Sequence, residues 1–257
     1  MAEAPEPPVR RTSGFACFCS AVLETAFAPP VIVPGPWSGS DDAFGRLTED
    51  AFAPYPTLPD LPDLALVTRG HDPGTVAYFR AGGTHFLSSD DLDAVAKHTC
   101  AVVMQAPTTP LGARALLLTA AALLDAGGAG VRVDGAVKVM DKDRWRALAA
   151  DEHPLAPYAA LVQVLEDPRR GTHSLGMHYF GLPDVRLDTP LPPNVAFEAV
   201  HRLNQMQLAE PSSFADGLTL ALDGQHALAL HHERDTFASP GHPSFNPHGR
   251  WRVAPAS

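Results

Sequence analysis

Hydrophobic positions in this chain come in short bursts, and their spacing separates helices from strands. The clearest helical stretch is "TPLGARALLLTAAALLDAGGAG" (109–130), with Thr109 as N-cap, Pro110 at the first helical position and Gly127 after the last apolar residue. It is apolar nearly all round, which predicts a deeply buried helix over about 110–126. A second long helix is expected over 194–209 in "NVAFEAVHRLNQMQLAE", with Val195, Val200, Leu203 and Leu208 near one stripe and Pro211 as the stop. Two short helices are expected, "SSDDLDAVAKHT" capped by Ser88 or Ser89 and "DKDRWRALAA" starting at Asp141 with Trp145 inward.

Strand patterns fill the rest. "LALVTRG" and "GTVAYFRAGG" each end on glycine, and "TCAVVMQA" is apolar at successive positions, as a strand buried on both faces would be. "GVRVDGAVKVM" reads as strand with a bulge or turn at Asp134-Gly135. "PYAALVQVLED" and "THSLGMHYFGL" flank "DPRRG" as a hairpin, and "LTLAL-DG-QHALALH" is a second hairpin, because Asp-Gly supplies positive φ angles. Hairpin-linked strands exclude an all-parallel sheet. The expected fold is α+β: a mixed, largely antiparallel sheet with the 110–126 helix and the 194–209 helix packed on it. Residues 1–13 read as a disordered leader and 14–257 as a single domain, Pro-rich and irregular over 14–63, with the main body over 64–257. Within the irregular part, a strand is expected near 14–23 and a short helix in "SGSDDAFGRLTEDAF".

Composition narrows the function classes. A net charge of −10 speaks against non-specific nucleic-acid binding, which needs a basic surface, and would suit a protein partner of basic charge. No apolar run reaches membrane-span length, so no membrane embedding is expected. Cys17, Cys19 and Cys100 make an odd count, and a Cys17–Cys19 bridge would be strained. Free thiols and a cytoplasmic location are therefore expected. The stretch "VRRTSGFACFCSAVLETAFA" imitates an export signal, but Glu3, Glu6 and Glu24 fit such a signal poorly. Scarce lysine beside plentiful Ala, Pro and Arg looks like a GC-rich bacterial genome.

The candidate chemistry is mostly histidine. "THSLGMHYFGLPDV" (172–185) is expected to be one sheet strand, with His178 facing away from Met177 and Tyr179 and Pro183 ending its ladder. On that reading His173 and His178 point to opposite faces, and His178 is a core histidine hydrogen-bonded to a carbonyl or a neighbouring side chain. "HHERD" places His231 and Glu233 on one face, with His226 or the His242 and His248 of "GHPSFNPHG" as further partners. His98 and Cys100 could share a strand face, although the setting looks buried and inert. No H-E-x-x-H, C-x-x-C, G-x-S-x-G or phosphate-loop spacing occurs, so no cofactor or metal is expected. Phe245 and Trp251 read as anchors that pin the C-terminal segment to the body.

"HTCAVVMQAP", "GARALLLTAAALLDAGGAGVRVDGAVKVM", "SLGMHYFGLPDVRL" and "PSFNPHGRWRV" together resemble a bacterial family known as domain of unknown function 4261, over roughly residues 85–253. The resemblance implies a bacterial α+β protein and carries no catalytic residues with it. Two functions follow as expectations. One is a non-catalytic binding protein, such as an immunity or secretion-system accessory protein that occupies a protein partner. The other is a small metal-dependent or histidine-using hydrolase built around His178, His231, Glu233, His242 and His248.

Overall fold

The computed structural model describes residues 28–37, 64–83, 87–189, 191–221 and 227–256. The strand expected near 14–23, the helix in "SGSDDAFGRLTEDAF", the tip of the Asp223-Gly224 hairpin and His226 lie outside the described residues.

The fold is α+β with mostly antiparallel pairing, and the strands divide between two sheets. The first comprises β1 (Val31–Gly35), β2 (Ala65–Gly70), β3 (Cys100–Gln105), β4 (Val131–Val133) and β5 (Lys138–Met140), in spatial order β2-β3-β1-β4-β5. The second comprises β6 (Gln163–Asp167), β7 (Gly171–Leu175), β8 (Asp184–Leu187), β9 (Thr219–Ala221), β10 (Ala227–Glu233) and β11 (Arg250–Pro255), in order β6-β7-β8-β11-β10-β9. The β8–β11 pair is parallel and makes the second sheet mixed. Each sheet carries one long helix. The helix of Pro110–Asp125 packs on β1, and that of Pro193–Ala209 lies across β6, β7 and β8.

Helix starts and stops follow the local chemistry. Thr109 accepts from the Gly112 amide at 3.0 Å and Pro110 follows it, as the sequence predicts. Leu116, Leu117, Leu123 and Leu124 of this helix are all buried in the first core, beside Trp145. Trp145 also donates its indole N–H to the Leu117 carbonyl at 2.9 Å, which ties the Lys142–Ala150 helix to the buried one. The second core joins Val185, Leu187 and Val253 of the sheet to Val200 and Leu203 of the Pro193–Ala209 helix. Of the expected stripe, Val200 and Leu203 are fully buried and Leu208 packs partly against the first core, whereas Val195 is 40% exposed. The inward stripe runs through Ala196, Ala199, Val200, Leu203, Asn204 and Gln207, two of which are amides.

Three segments differ from the pattern reading. "GTVAYFRAGG" is the helix Pro73–Gly83 and not a strand. The Asp72 carboxylate caps it, accepting from the Gly74 amide at 2.8 Å, and Pro73 opens it; these local signals outweigh the β-branched and aromatic content. "PYAALVQVLED" is helical over Ala156–Leu161 and becomes strand only at Gln163, because Pro157 and three alanines favour the turn before the extended run. "THSLGMHYFGLPDV" is likewise not one strand. Strand β7 stops at Leu175, a 3-10 turn spans Met177–Phe180, and β8 begins at Asp184. Gly176 (φ 112°) and Gly181 (φ 74°) bracket the turn in the left-handed region, and that pair breaks the strand.

Candidate functional site

Strand β5 is one edge of the first sheet and β6 one edge of the second, and residues of both line a common seam. A cleft of about 420 Å³ opens there, partly exposed to solvent. Its apolar wall includes Met140, Leu148, Val162 and Val164, and its polar groups are Lys138, Arg144, Gln163 and His201.

Lys138 starts β5 and reaches across the seam. Its ammonium donates to the carbonyls of Ala159 at 2.6 Å and Val162 at 3.1 Å, at the C-terminal end of the Ala156–Leu161 helix. Those carbonyls have no partner within the helix, and the helix dipole favours a cation beside them. An ammonium has three N–H groups, so one remains for the cleft. Burial pushes its pKa down to about 8, and the neighbouring Arg144 adds repulsion in the same direction. The ammonium therefore remains charged at neutral pH.

His201 comes from the Pro193–Ala209 helix. Its Nδ1 lies 2.7 Å from the Tyr158 hydroxyl, which accepts from the Asn204 amide at 3.3 Å. Burial pushes the Tyr158 pKa up to about 12, so the phenol keeps its proton; with Asn204 already donating to its oxygen, the arrangement that satisfies both groups has the hydroxyl donate to Nδ1. Burial, with the nearby Lys138 charge, lowers the His201 pKa below its ordinary 6.5. The neutral ring therefore carries its own proton on Nε2, as a donor.

The turn before Lys138 is strained. Val137 sits at φ 53°, the sole non-glycine with positive φ among the described residues, and it is β-branched. With its amide turned so that the nitrogen faces the two carbonyls, the orientation that satisfies both ends, the Gln163 side chain donates to Ala136 and Val137, each at 3.1 Å, and holds this turn. Such a conformation persists where its surroundings over-determine it, and such sites cluster where geometry matters to function.

The histidines singled out by sequence are placed elsewhere. His178 is wholly buried in the 3-10 turn, against Gly135 and with its ring 4.8 Å from that of Tyr179. The expected hydrogen bond is absent: neither ring nitrogen has a partner. Burial drives its pKa down to about 3, with the neighbouring His248 contributing, so it is neutral. His173 is buried on β7, its Nδ1 3.0 Å from the Gly171 carbonyl. His231 lies 4.0 Å from the Asp216 carboxylate, and Glu233 takes the Arg252 guanidinium at 2.5 Å. His242 is exposed and accepts from the Ser244 amide at 3.1 Å. The carbonyl of His248 lies 2.9 Å from His232 Nε2, and its own Nε2 is buried without a partner. Among the described residues, no group of three or more His, Cys, Asp or Glu is placed to hold a metal ion. His98 is not on a strand; it precedes β3 and takes the Asp72 amide on Nε2 at 3.2 Å, while Cys100 is a buried free thiol.

The "GHPSFNPHGRW" segment is an anchor. Asp184, wholly buried, accepts from the Met177 amide at 3.1 Å and from the Asn246 side chain at 2.8 Å. Arg250 and Asp235 form a buried ion pair, with the guanidinium 3.5 Å over the Phe237 ring. Trp251 is buried and donates to Gln207 at 3.1 Å. Two buried amides thus tie the Pro193–Ala209 helix to different elements: Asn204 donates to Tyr158 of the Ala156–Leu161 helix and Gln207 accepts from Trp251 of β11.

Sequence reasoning passed over Lys138, Arg144, Tyr158, Gln163 and His201. One signal was there to use: lysine occurs at only Lys97, Lys138 and Lys142, and Lys138 interrupts an apolar run. The others come from four elements, three of them consecutive over residues 142–167 and the fourth the more distant Pro193–Ala209 helix. No family model, no curated protein and no solved structure matches the chain. No described helix is long and apolar enough to cross a membrane.

Proposed function

We propose that the chain is a non-catalytic bacterial binding protein that occupies a protein partner in the cytoplasm, as an immunity or secretion-system accessory protein does. The seam cleft is its recognition site. The observation that carries this reading is the character of the lining: Lys138, Arg144 and His201 present donors, and none of the lining residues is an Asp, Glu, Ser or Cys. The two residue types in the lining that can serve as bases are both engaged: the Lys138 ammonium donates to two carbonyls and His201 Nδ1 is paired with the Tyr158 hydroxyl. A site made of donors beside an apolar wall instead holds an acceptor. The net charge of −10 favours approach of a basic partner, and the cleft then receives one anionic group that the partner carries. The resemblance to domain of unknown function 4261 belongs with this reading.

Crosslinking in cells tests it. A photo-crosslinking residue at Leu148, on the cleft wall, should give a discrete adduct that disappears in Arg144→Glu while the melting temperature is unchanged. The same adducts with and without Arg144→Glu would overturn the reading.

A histidine-using hydrolase remains the second reading, favoured by the unpartnered nitrogens of His178 and His248. Stoichiometric zinc binding, abolished by His178→Leu in a folded protein, would replace the first reading with the second.

A further inference from the structure

We infer that the cleft between β5 and β6 takes an aliphatic carboxylate, its –COO⁻ against Lys138, His201 and Arg144 and its apolar stem along Met140, Leu148 and Val164. This rests on the binding reading above and names the ligand chemistry.

The donor count leads to it. Two of the three Lys138 N–H groups are spent on Ala159 and Val162, leaving one for the cleft. His201 supplies one more from Nε2, because Tyr158 occupies Nδ1. The Arg144 guanidinium lines the mouth from the exposed face of the Lys142–Ala150 helix. A carboxylate has two oxygens and one charge, which this set can match. A phosphate monoester brings a third terminal oxygen and up to a second charge, which the two inner donors, one Lys138 N–H and one His201 N–H, do not cover; only the Arg144 guanidinium at the exposed mouth is left for them, and it has another interaction of its own. An alkylammonium would meet the like charges of Lys138 and Arg144. The wall opposite is hydrocarbon, so a bare inorganic anion would leave half of the cleft unfilled. The site is also pre-shaped: Gln163 locks the strained Val137 turn, which fixes where β5 delivers Lys138.

A free acid and a chain-terminal carboxylate present the same group, and the test separates them. Isothermal titration of the full chain at pH 7 would use hexanoate, hexylamine, hexyl phosphate, and a tetrapeptide ending in leucine as free acid and as amide. Hexanoate should bind saturably at one site and hexylamine should not. Arg144→Gln should weaken hexanoate about five- to tenfold, as expected for losing one charge-assisted donor at a partly solvated mouth. His201→Phe, which keeps an aromatic ring and removes Nε2–H, should weaken it in the same sense. If the free-acid peptide binds at least as well as hexanoate and its amide does not, a chain end is the source; the reverse order makes it a free acid. Absence of saturable hexanoate and peptide binding, or equal binding of hexylamine, overturns the inference. So does hexyl phosphate binding more tightly than hexanoate. If those fail while the Leu148 crosslink still depends on Arg144, the ligand class falls and the binding reading stands. If both fail, both fall.

Discussion

Replacing His178 by leucine should make the protein more resistant to mild acid. The imidazole is fully buried, neither nitrogen has a partner, and its pKa is down at about 3. Its unfolded value is the ordinary 6.5. As pH falls below 6.5 the unfolded chain takes up a proton that the folded chain refuses, so stability is full above that pH and drains away toward 3. Integrated from pH 8 to pH 5, this single group costs about 2 kcal/mol. Asp184 works in the opposite direction. Burial raises its pKa from 3.8 to about 6, so the folded state gains a proton first and gains about 1 kcal/mol by pH 5. The two partly offset each other in the wild type, which is why the variant is needed. Urea unfolding of wild type and His178→Leu at pH 8, 6 and 5, extrapolated to water, isolates the histidine. At pH 8 the variant should lie within about 1 kcal/mol of wild type or above it, because two unpaired buried polar atoms are removed. Between pH 8 and pH 5 it should gain on wild type by about 2 kcal/mol. His178→Gln, which puts polar atoms back into the same unpartnered space, should remain destabilised. Parallel pH curves for wild type and His178→Leu would refute the reasoning, since the folded imidazole would then be taking its proton freely.

Leu117→Ala should cost about 2–5 kcal/mol in a thermal or urea melt, because Leu117 is fully buried on the central helix; an unchanged melt would contradict that placement. Asn246→Ala should cost about 1–3 kcal/mol, since it leaves the buried Asp184 without one of its donors. Thiol titration of the denatured chain without reductant should find Cys17, Cys19 and Cys100 all free, while in the folded chain Cys100 should react slowly because burial raises its pKa. Hexanoate binding should weaken as pH rises above about 8, where Lys138 loses its proton. Calorimetry at pH 7 and pH 10 checks this, and equal affinities would remove Lys138 from the site.

The parts of the fold that were legible are those specified by local signals. Thr109-Pro110, Ser88 and Asp141 each cap the helix that the pattern expects, and Trp145 points inward. The buried helix and the antiparallel pairing across "DPRRG" follow from spacing and turn chemistry alone. What was misread had a local signal that the hydrophobic period outvoted. Asp72-Pro73 is a cap followed by a helix-opening proline, and Gly176 and Gly181 mark the turn inside a run that otherwise alternates like a strand. The division into two sheets is not written in any window, because it depends on which edges meet. The cleft was illegible for the same reason: Lys138, Arg144, Gln163 and His201 acquire a common role only after β5 and β6 are brought together. Histidine drew attention by its chemistry, yet His178 is sealed and Glu233 is engaged by Arg252.

Binding at the seam can be read out residue by residue. Backbone amide spectra of the isotopically labelled full chain, titrated with hexanoate, test it most directly. Saturable shifts should concentrate in residues 138–140, 144–148, 159–164 and around His201. Shifts centred instead on His178 and residues 242–248, or no saturable shift at all, would contradict binding at the seam.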